Sequence, residues 1–361
     1  MAKKIRVGFL FGGRSAEHEV SLRSAKRIID HLDNSKYEAV PIGIDKAGKW
    51  HLCHKEKYLE NADDPKRVAL VLSHNYVTVI PKDVDVIFPV LHGTYGEDGN
   101  MQGLLKLADI PFVGAGITGS ALGMDKDVMK RLLRDAKVPI AKFIVFHKND
   151  EISFEAVKKE LGLPLFVKPA NLGSSVGVSK VKNILDFEKA KALAFQYDKK
   201  ILIEEFIEGS EVECSILGND KPIASMPCRV IAHDEFYTYE AKYLDGLAFY
   251  EIPLKEPPAI LEKIKRQALL AFKVLCCEGL ARVDMFLTKS GEVLINEINT
   301  MPGFTRTSVY PMLWEASGFT VTEISDRLIQ LALERYEEEK RLTTQFKEIW
   351  DNNPTASHGK K

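Results

Sequence analysis

No apolar run in this chain is long enough to span a bilayer, and the stretch near its start, Ile5 to Phe11, ends in Gly12-Gly13, too short for a signal-peptide core. Cysteine is scarce. The five residues (Cys53, Cys214, Cys228, Cys276, Cys277) are odd in number, two are adjacent and none forms CxxC. That argues against a disulfide framework and a zinc site, and it fits a reducing compartment. Charge of one sign is also missing: 50 Lys and Arg offset 51 Asp and Glu, for a net charge of -1. No strong field gathers nucleic acid or an anionic membrane surface. These absences lead us to expect a cytoplasmic protein with neither nucleic acid nor membrane as partner.

What remains is an ordinary globular composition, 45% hydrophobic and 28% charged over 361 residues, which implies two or three domains. The first third alternates element types. Ile5 to Phe11 reads as a buried strand; Ala25, Ile28, Ile29 and Leu32 share a helical face. Asp85 to Leu91 reads as a second buried strand, and Met101, Leu104, Leu105 and Ala108 mark another helix. This is the pattern of a parallel sheet with crossover helices, in a chain that is α/β with α+β character in parts. We expect domains at 1–123, 124–217 and 218–350, then a polar tail at 351–361. The aromatic segment from His233 to Pro253 carries no periodic pattern and suggests a lid.

Gly114-Ala115-Gly116-Ile117-Thr118-Gly119 matches the GxGxxG dinucleotide fingerprint. Such a turn should close the first strand of a βαβ unit, with an acidic residue ending the next strand. Here the next strand ends in His147-Lys148, so a turn between domains is the better reading, and a nicotinamide-dependent dehydrogenase is kept only as a rival.

Four features carry chemistry. KPANLGSSVGVSK (168–180) follows an apolar strand. Glycine lets backbone N–H groups converge on an anion, Lys168 adds a point charge, and Ser174 and Ser175 add hydroxyls. The Walker pattern GxxxxGK[ST] is absent, and a surface hairpin turn remains an alternative for this stretch alone.

The second feature is a pair of strand-like runs, LARVDMFL and EVLINEIN. Alternation puts Arg282 and Asp284 on one face, and Glu297 and Asn299 on one face. A two-residue hairpin loop at Ser290-Gly291 would set Asp284 opposite Glu297 and Arg282 opposite Asn299. Facing carboxylates with an amide oxygen suit Mg2+; exposed polar strand faces are the alternative, and a three-residue loop would undo the register.

The third is LIEEFIEGSE (202–211), an extended linker that could meet a heterocycle edge, with Glu211 placed for a ribose hydroxyl; a plain acidic loop is the alternative. The fourth lies beyond the strands of the first sheet. There Glu17 could hold an ammonium group or serve a helix dipole, and His92 could meet a carboxylate or be a satisfied turn histidine.

In order along the chain, GGRSAEHEVS (12–21), LHGTYGEDGNMQG (91–103), SALGMDK (120–126), FVKPANLGSSVGVSK (166–180), EAKYL (240–244), ARVDMF (281–286) and NEINTMPGFTRTSVYP (296–311) resemble the D-alanine–D-alanine ligase family of the ATP-grasp superfamily. The likeness runs from about Lys4 to beyond Pro311. It implies a three-domain ATP-grasp architecture, with an N-terminal parallel α/β domain and ATP held between two β-sheets. It also implies two D-alanine molecules as substrates, two Mg2+ (or Mn2+) ions and a homodimer. The expected product is D-alanyl-D-alanine for peptidoglycan precursors, made through a D-alanyl phosphate with release of ADP and phosphate.

By this resemblance Lys126 and Lys168 hold phosphates, with Ser175 in the same loop. Glu204, Phe206 and Ile207 border the adenine, and Glu211 takes the ribose. Asp284, Glu297 and Asn299 bind the metals. Glu17 anchors the first ammonium and joins Ser174 and Tyr243 in a hydrogen-bonded set, while Lys242 reaches the γ-phosphate. Arg282 and the Gly303 N–H form the oxyanion hole, and Ser308 places the second carboxylate. Tyr243 in EAKYL fits the dipeptide-making members; another carboxylate ligase, such as one using D-lactate, is the nearest rival.

Overall fold

The computed structural model describes residues 3–62, 64–72, 83–232 and 248–343. At its N-terminal end β1 (Ile5–Gly12) lies between β2 (Tyr37–Ile44) and β6 (Val86–Val90), parallel to both. A strand covered on both faces has no polar side, which is why IRVGFLFG does not alternate. The crossover helix α1 (His18–Asp30) buries Leu22, Ala25, Ile28 and Ile29, a stripe of helical period. β3 (Trp50–Leu52) adds an antiparallel edge to β2, and β4 (Leu59–Glu60) with β5 (Ala69–Leu70) forms a separate ribbon. The helices α2 (Asn100–Leu107), α3 (Ile117–Met124) and α4 (Lys126–Asp135) lead out of this unit.

The second sheet is antiparallel throughout, in the order β7 (Phe143–His147), β10 (Lys200–Glu205), β8 (Leu165–Pro169), β9 (Ser179–Val181). Helices α5 (Phe154–Leu161) and α6 (Ile184–Tyr197) share a core with it built on Val157, Phe187, Ala190 and Ile203. The cap of α6 is local: Asn183 Oδ1 accepts the N–H groups of Leu185 and Asp186.

The third sheet runs β14 (Ala248–Glu251), β13 (Cys228–Ala232), β11 (Gly209–Gly218), β15 (Gly279–Thr288), β16 (Val293–Asn299), with β12 (Ile223–Ala224) on β11. One face packs on α7 (Pro258–Val274). The helices α8 (Val309–Ala316) and α9 (Val321–Lys340) complete the chain.

Two results differ from the expected linear division. β11 pairs with β15 along Gly209 to Gly218, so the second and third sheets part between Glu205 and Gly209, ahead of the boundary expected after Leu217. Sheet membership is decided by a partner some seventy residues away, as in Glu213 opposite Asp284, and no local compositional change marks it. The C-terminal helix also returns to the first unit. Arg335 donates to the carbonyls of Gly114 (2.6 Å) and Phe112 (2.7 Å), and Leu328 and Ile329 join the core of Val7, Phe9 and Phe88.

The GxGxxG run has a packing role. Gly114 has φ +97° and meets Gly279, whose Cβ would fall 3.1 Å from the Gly114 Cα. A Cβ on Gly119 would lie 2.6 Å from the Cys276 carbonyl oxygen. These glycines let α3 touch the turn before β15 through bare backbone. Of the segment 233–253 only its last part is described, where Ala248–Glu251 forms β14; Lys242 and Tyr243 lie outside the described residues. Among the described residues no helix is long and apolar enough to cross a membrane.

Candidate active site

A cleft of ≈ 1080 Å³, open to solvent, separates the second and third sheets. Lys168 reaches it because β8 alternates: Leu165 and Val167 enter the core, and the residue between Val167 and Pro169 does not. Its Nζ lies 2.7 Å from Glu204 Oε2 and 3.3 Å from Asn296 Oδ1. Lys126 opens α4 behind Asp125, whose side chain caps the helix. The Lys126 ammonium donates to the Leu172 carbonyl (2.6 Å) and sits 3.4 Å from Glu297 Oε2. Ser175, Phe206, Ile207 and Glu211 line the same cleft.

Glu204 is only 3% exposed. Its second oxygen lies 3.2 Å from the ammonium of Lys130, which is wholly buried. Burial pushes the Glu204 carboxyl up, but Lys130 and Lys168 outweigh burial and hold it below the usual carboxylate range.

Glycine was the residue expected to turn the 168–180 loop, yet Ser174 and Ser175 themselves take left-handed φ of 54° and 58°, beside Gly177 at 73°. Two serines in that region cost backbone energy and need support from their surroundings. Ser174 has it: its hydroxyl donates to Glu17 Oε1 at 2.7 Å, tying the loop to the start of α1.

The β15–β16 hairpin sets Arg282 opposite Asn299 and Asp284 opposite Glu297, the register expected from sequence, although the loop differs. Thr288 N–H bonds the Glu292 carbonyl, so Lys289, Ser290 and Gly291 form a three-residue loop with Gly291 at φ +79°. Such a loop alone would slip the register by one residue. The pairing shifts between Asp284 and Met285, where Asn296 is the extra residue of a bulge, and this restores it. Ile295 and Ile298 enter the core while consecutive Asn296 and Glu297 both line the cleft.

The Arg282 guanidinium binds Asp284 through two 2.7 Å bonds and lies 2.9 Å from Glu213, one strand over. Glu213, Asp284 and Glu297 thus form a row across β11, β15 and β16. Among the described residues no three acidic, His or Cys side chains converge closely enough to hold a metal alone. Two facing carboxylates and the Asn299 amide are hard oxygen donors short of a full shell, which fits Mg2+ completed by water and phosphate. Asn299 now turns its amide N–H to Asp284 (3.1 Å), and a metal would require the opposite amide orientation.

Arg282 and Asn299 also line a second, smaller cavity with Glu17, Ser174, Gly303 and Ser308. Gly303 is tight: an added Cβ would stand 2.7 Å from Ser308 Oγ. Ser308 occupies the N-cap of α8, so that helix's N-terminus faces the cavity. His92 forms part of the wall with both ring nitrogens engaged. Nδ1 donates to the Met301 carbonyl (2.8 Å), and Nε2 receives Ser24 Oγ (3.3 Å), which itself accepts Phe304 N–H (3.0 Å). Burial lowers the His92 pKa, consistent with the neutral ring this chain of bonds requires.

Four residues of the site went unassigned in the sequence. Glu97 accepts from Gly93 N–H (2.6 Å) and Met301 N–H (3.0 Å), and burial followed by the charge of Glu17 pushes its carboxyl up to about 8. It lies within LHGTYGEDGNMQG but had no local signal of its own. Glu213 follows Glu211 by two and alternation could have found it. Lys130 follows Lys126 by one helical turn. Asn296 depended on the bulge.

Two family models match: "D-ala D-ala ligase N-terminus" over residues 6–115 and "D-ala D-ala ligase C-terminus" over residues 132–330. A curated D-alanine–D-alanine ligase from Oceanobacillus iheyensis is 50% identical over 358 residues, 94% of this chain and 98% of the relative. The chain belongs to the D-alanine–D-alanine ligase family. Its fold is similar to the solved D-alanine–D-alanine ligase from Coxiella burnetii, with TM-score 0.81, 35% identity, and coverage of 94% of this chain and 97% of that one. It is also similar to the VanG D-Ala:D-Ser ligase from Enterococcus faecalis, with TM-score 0.80, 37% identity, and coverage of 91% and 100%. The two opposed sheets around the cleft are the ATP-grasp architecture of this ligase family.

Proposed function

We propose that the chain joins two D-alanine molecules into D-alanyl-D-alanine, using ATP and releasing ADP and phosphate, in the supply of peptidoglycan precursors. One observation carries the reading: a single hairpin face serves both cavities. Asn296 and Glu297 line the large cleft, while Arg282 and Asn299 line the small one. A phosphoryl donor in the first can therefore meet an acceptor in the second.

In this reading Lys126, Lys168 and Ser175 receive the phosphates. Phe206, Ile207 and the backbone beside Glu204 border the adenine, and Glu211 takes the ribose. Asp284, Glu297 and Asn299 would hold two Mg2+ or Mn2+ ions, which neutralise phosphate charge when bound. The first D-alanine places its ammonium at Glu17, and its carboxylate oxygen takes the γ-phosphoryl group, leaving ADP. The acyl phosphate has a better leaving group than the carboxylate had. The free amine of the second D-alanine attacks its carbonyl carbon, and the resulting oxyanion lies within the field of Arg282 and Gly303 N–H. Each well-aimed donor contributes about 3–4 kcal/mol to such a step. The intermediate collapses with loss of phosphate. Ser308 and the α8 N-terminus suit the second carboxylate. His92 fits this scheme as the ring that holds Met301 and Phe304 on either side of Gly303.

Lys242 at the γ-phosphate and Tyr243 in the Glu17–Ser174 set rest on the sequence resemblance, as does a homodimer, which sedimentation would test. D-Alanine over D-lactate as the nucleophile rests on Tyr243 within EAKYL. The deciding experiment is ATP-dependent phosphate release with D-alanine, L-alanine or D-alanine plus D-lactate, with the product weighed by mass spectrometry. Release with D-alanine alone, and a dipeptide mass, is expected; release without a ligated product would refute the assignment.

A further inference from the structure

Lys130 belongs to none of the roles above, yet it is a wholly buried ammonium beside the nucleotide cleft. It lies on α4 one turn beyond Lys126, and its Nζ stands 3.2 Å from Glu204 Oε1 without hydrogen-bond alignment. The Phe143 ring also lies near it, with the centroid 5.9 Å away. Glu204 Oε2 meanwhile holds Lys168 at 2.7 Å. One buried carboxylate is thus shared by two ammonium groups, of which only Lys168 lines the cleft.

Two charges of one sign around one of the other leave a net positive charge. If Lys168 alone faced Glu204, its charge would be cancelled by that carboxylate. We propose that Lys130 is a positioning residue for ATP, holding Glu204 in place and balancing its charge so that the charge of Lys168 stays available to the phosphates. Burial lowers the Lys130 pKa from its ordinary value, Glu204 opposes that shift, and the like charge of Lys168 adds to it.

This role rests on the cleft being the ATP site, and the test separates the two. Calorimetry with a non-hydrolysable ATP analogue would be run on the full-length protein, on Lys130→Met, on Glu204→Gln and on the double variant, each with a thermal melt. Lys130→Met should raise the Kd by about tenfold or more, equivalent to one charge contact. The KM for D-alanine should stay within about twofold, since Lys130 does not line the smaller cavity. In the Glu204→Gln background the same substitution should cost less than about twofold, because no carboxylate remains to capture Lys168. A side chain that only filled space would cost the same in both backgrounds, and that result overturns the role. If Lys130→Met does not fold, recovery of folding on adding Glu204→Gln reports the same charge coupling, and failure of the double variant to fold counts against it. A native protein that binds no analogue refutes the ATP site itself.

Discussion

Ser174 and Glu17, 157 residues apart in the chain, share a 2.7 Å hydrogen bond that ties the loop after β8 to the first turn of α1. Within that loop Ser174 and Ser175 both hold left-handed backbone conformations. The bond therefore joins the phosphate-side loop to the residue proposed to receive the first amino acid's ammonium. Ser174→Ala should lower kcat/KM for D-alanine by about tenfold to a hundredfold, the range for a hydrogen bond to a charged partner, while the melting temperature changes little. Steady-state phosphate release against D-alanine concentration measures it; unchanged kcat/KM would remove Ser174 from the site.

Asp284 faces Glu297 across the hairpin and is gripped by Arg282. Asp284→Asn should cut Mg2+-dependent turnover by about a hundredfold or more and raise the Mg2+ concentration at half-maximal rate. The Mg2+ titration is the readout, since a merely structural role would not shift its midpoint.

Arg282 is a separate case. Its replacement by Ala should lower kcat by about a hundredfold to a thousandfold, the usual loss of an oxyanion donor, with a smaller change in ATP affinity. Glu213 and Asp284 would also lose their shared cation, so some loss of stability should accompany it. A defect confined to ATP binding would count against the oxyanion role.

Gly119 tests the structural reading of GxGxxG. A methyl group there would meet the Cys276 carbonyl at 2.6 Å. Gly119→Ala should destabilise the protein by about 1–3 kcal/mol, as overpacking does, measured by urea unfolding. Titration of the native protein with NADH should give no binding signal; specific binding abolished by this substitution would restore the dinucleotide reading.

Glu97 gives a pH dependence. Its folded carboxyl titrates near 8, well above the ordinary 4.5, because burial and Glu17 oppose its charge. Between these values the unfolded chain releases a proton that the folded chain keeps. Its contribution is therefore fully present below the lower value and is lost as pH rises through about 8. Over that window the stability of the native protein relative to Glu97→Gln should fall with rising pH, by up to about 1.4 kcal/mol per unit. The substitution also leaves a buried backbone N–H poorly matched, a constant offset of about 1–3 kcal/mol, so the slope is the quantity to compare. Parallel lines would show that Glu97 keeps its ordinary titration.

The sequence alone determined what depends on near neighbours. Burial on both faces made β1 uniformly apolar, helical period set the inward stripe of α1, and strand alternation grouped Arg282 with Asp284. The order of its motifs along the chain also carries the family likeness. Tertiary structure decided the rest, because the deciding partners are distant in the chain. β11 went to the third sheet because β15 offered it ten paired residues, and α9 folded back on the first sheet through Arg335. The hairpin shows the division most sharply: alternation and a supposed two-residue loop led to the right facing pairs, but the true loop has three residues and the bulge at Asn296 supplies the compensation. A bulge costs one unpaired residue and is stabilised by what packs on either side, here a core below and charged groups above, neither of which a single strand can specify. Lys130 and Glu97 escaped for the same reason: a buried charge has meaning only through the partner that the fold brings to it.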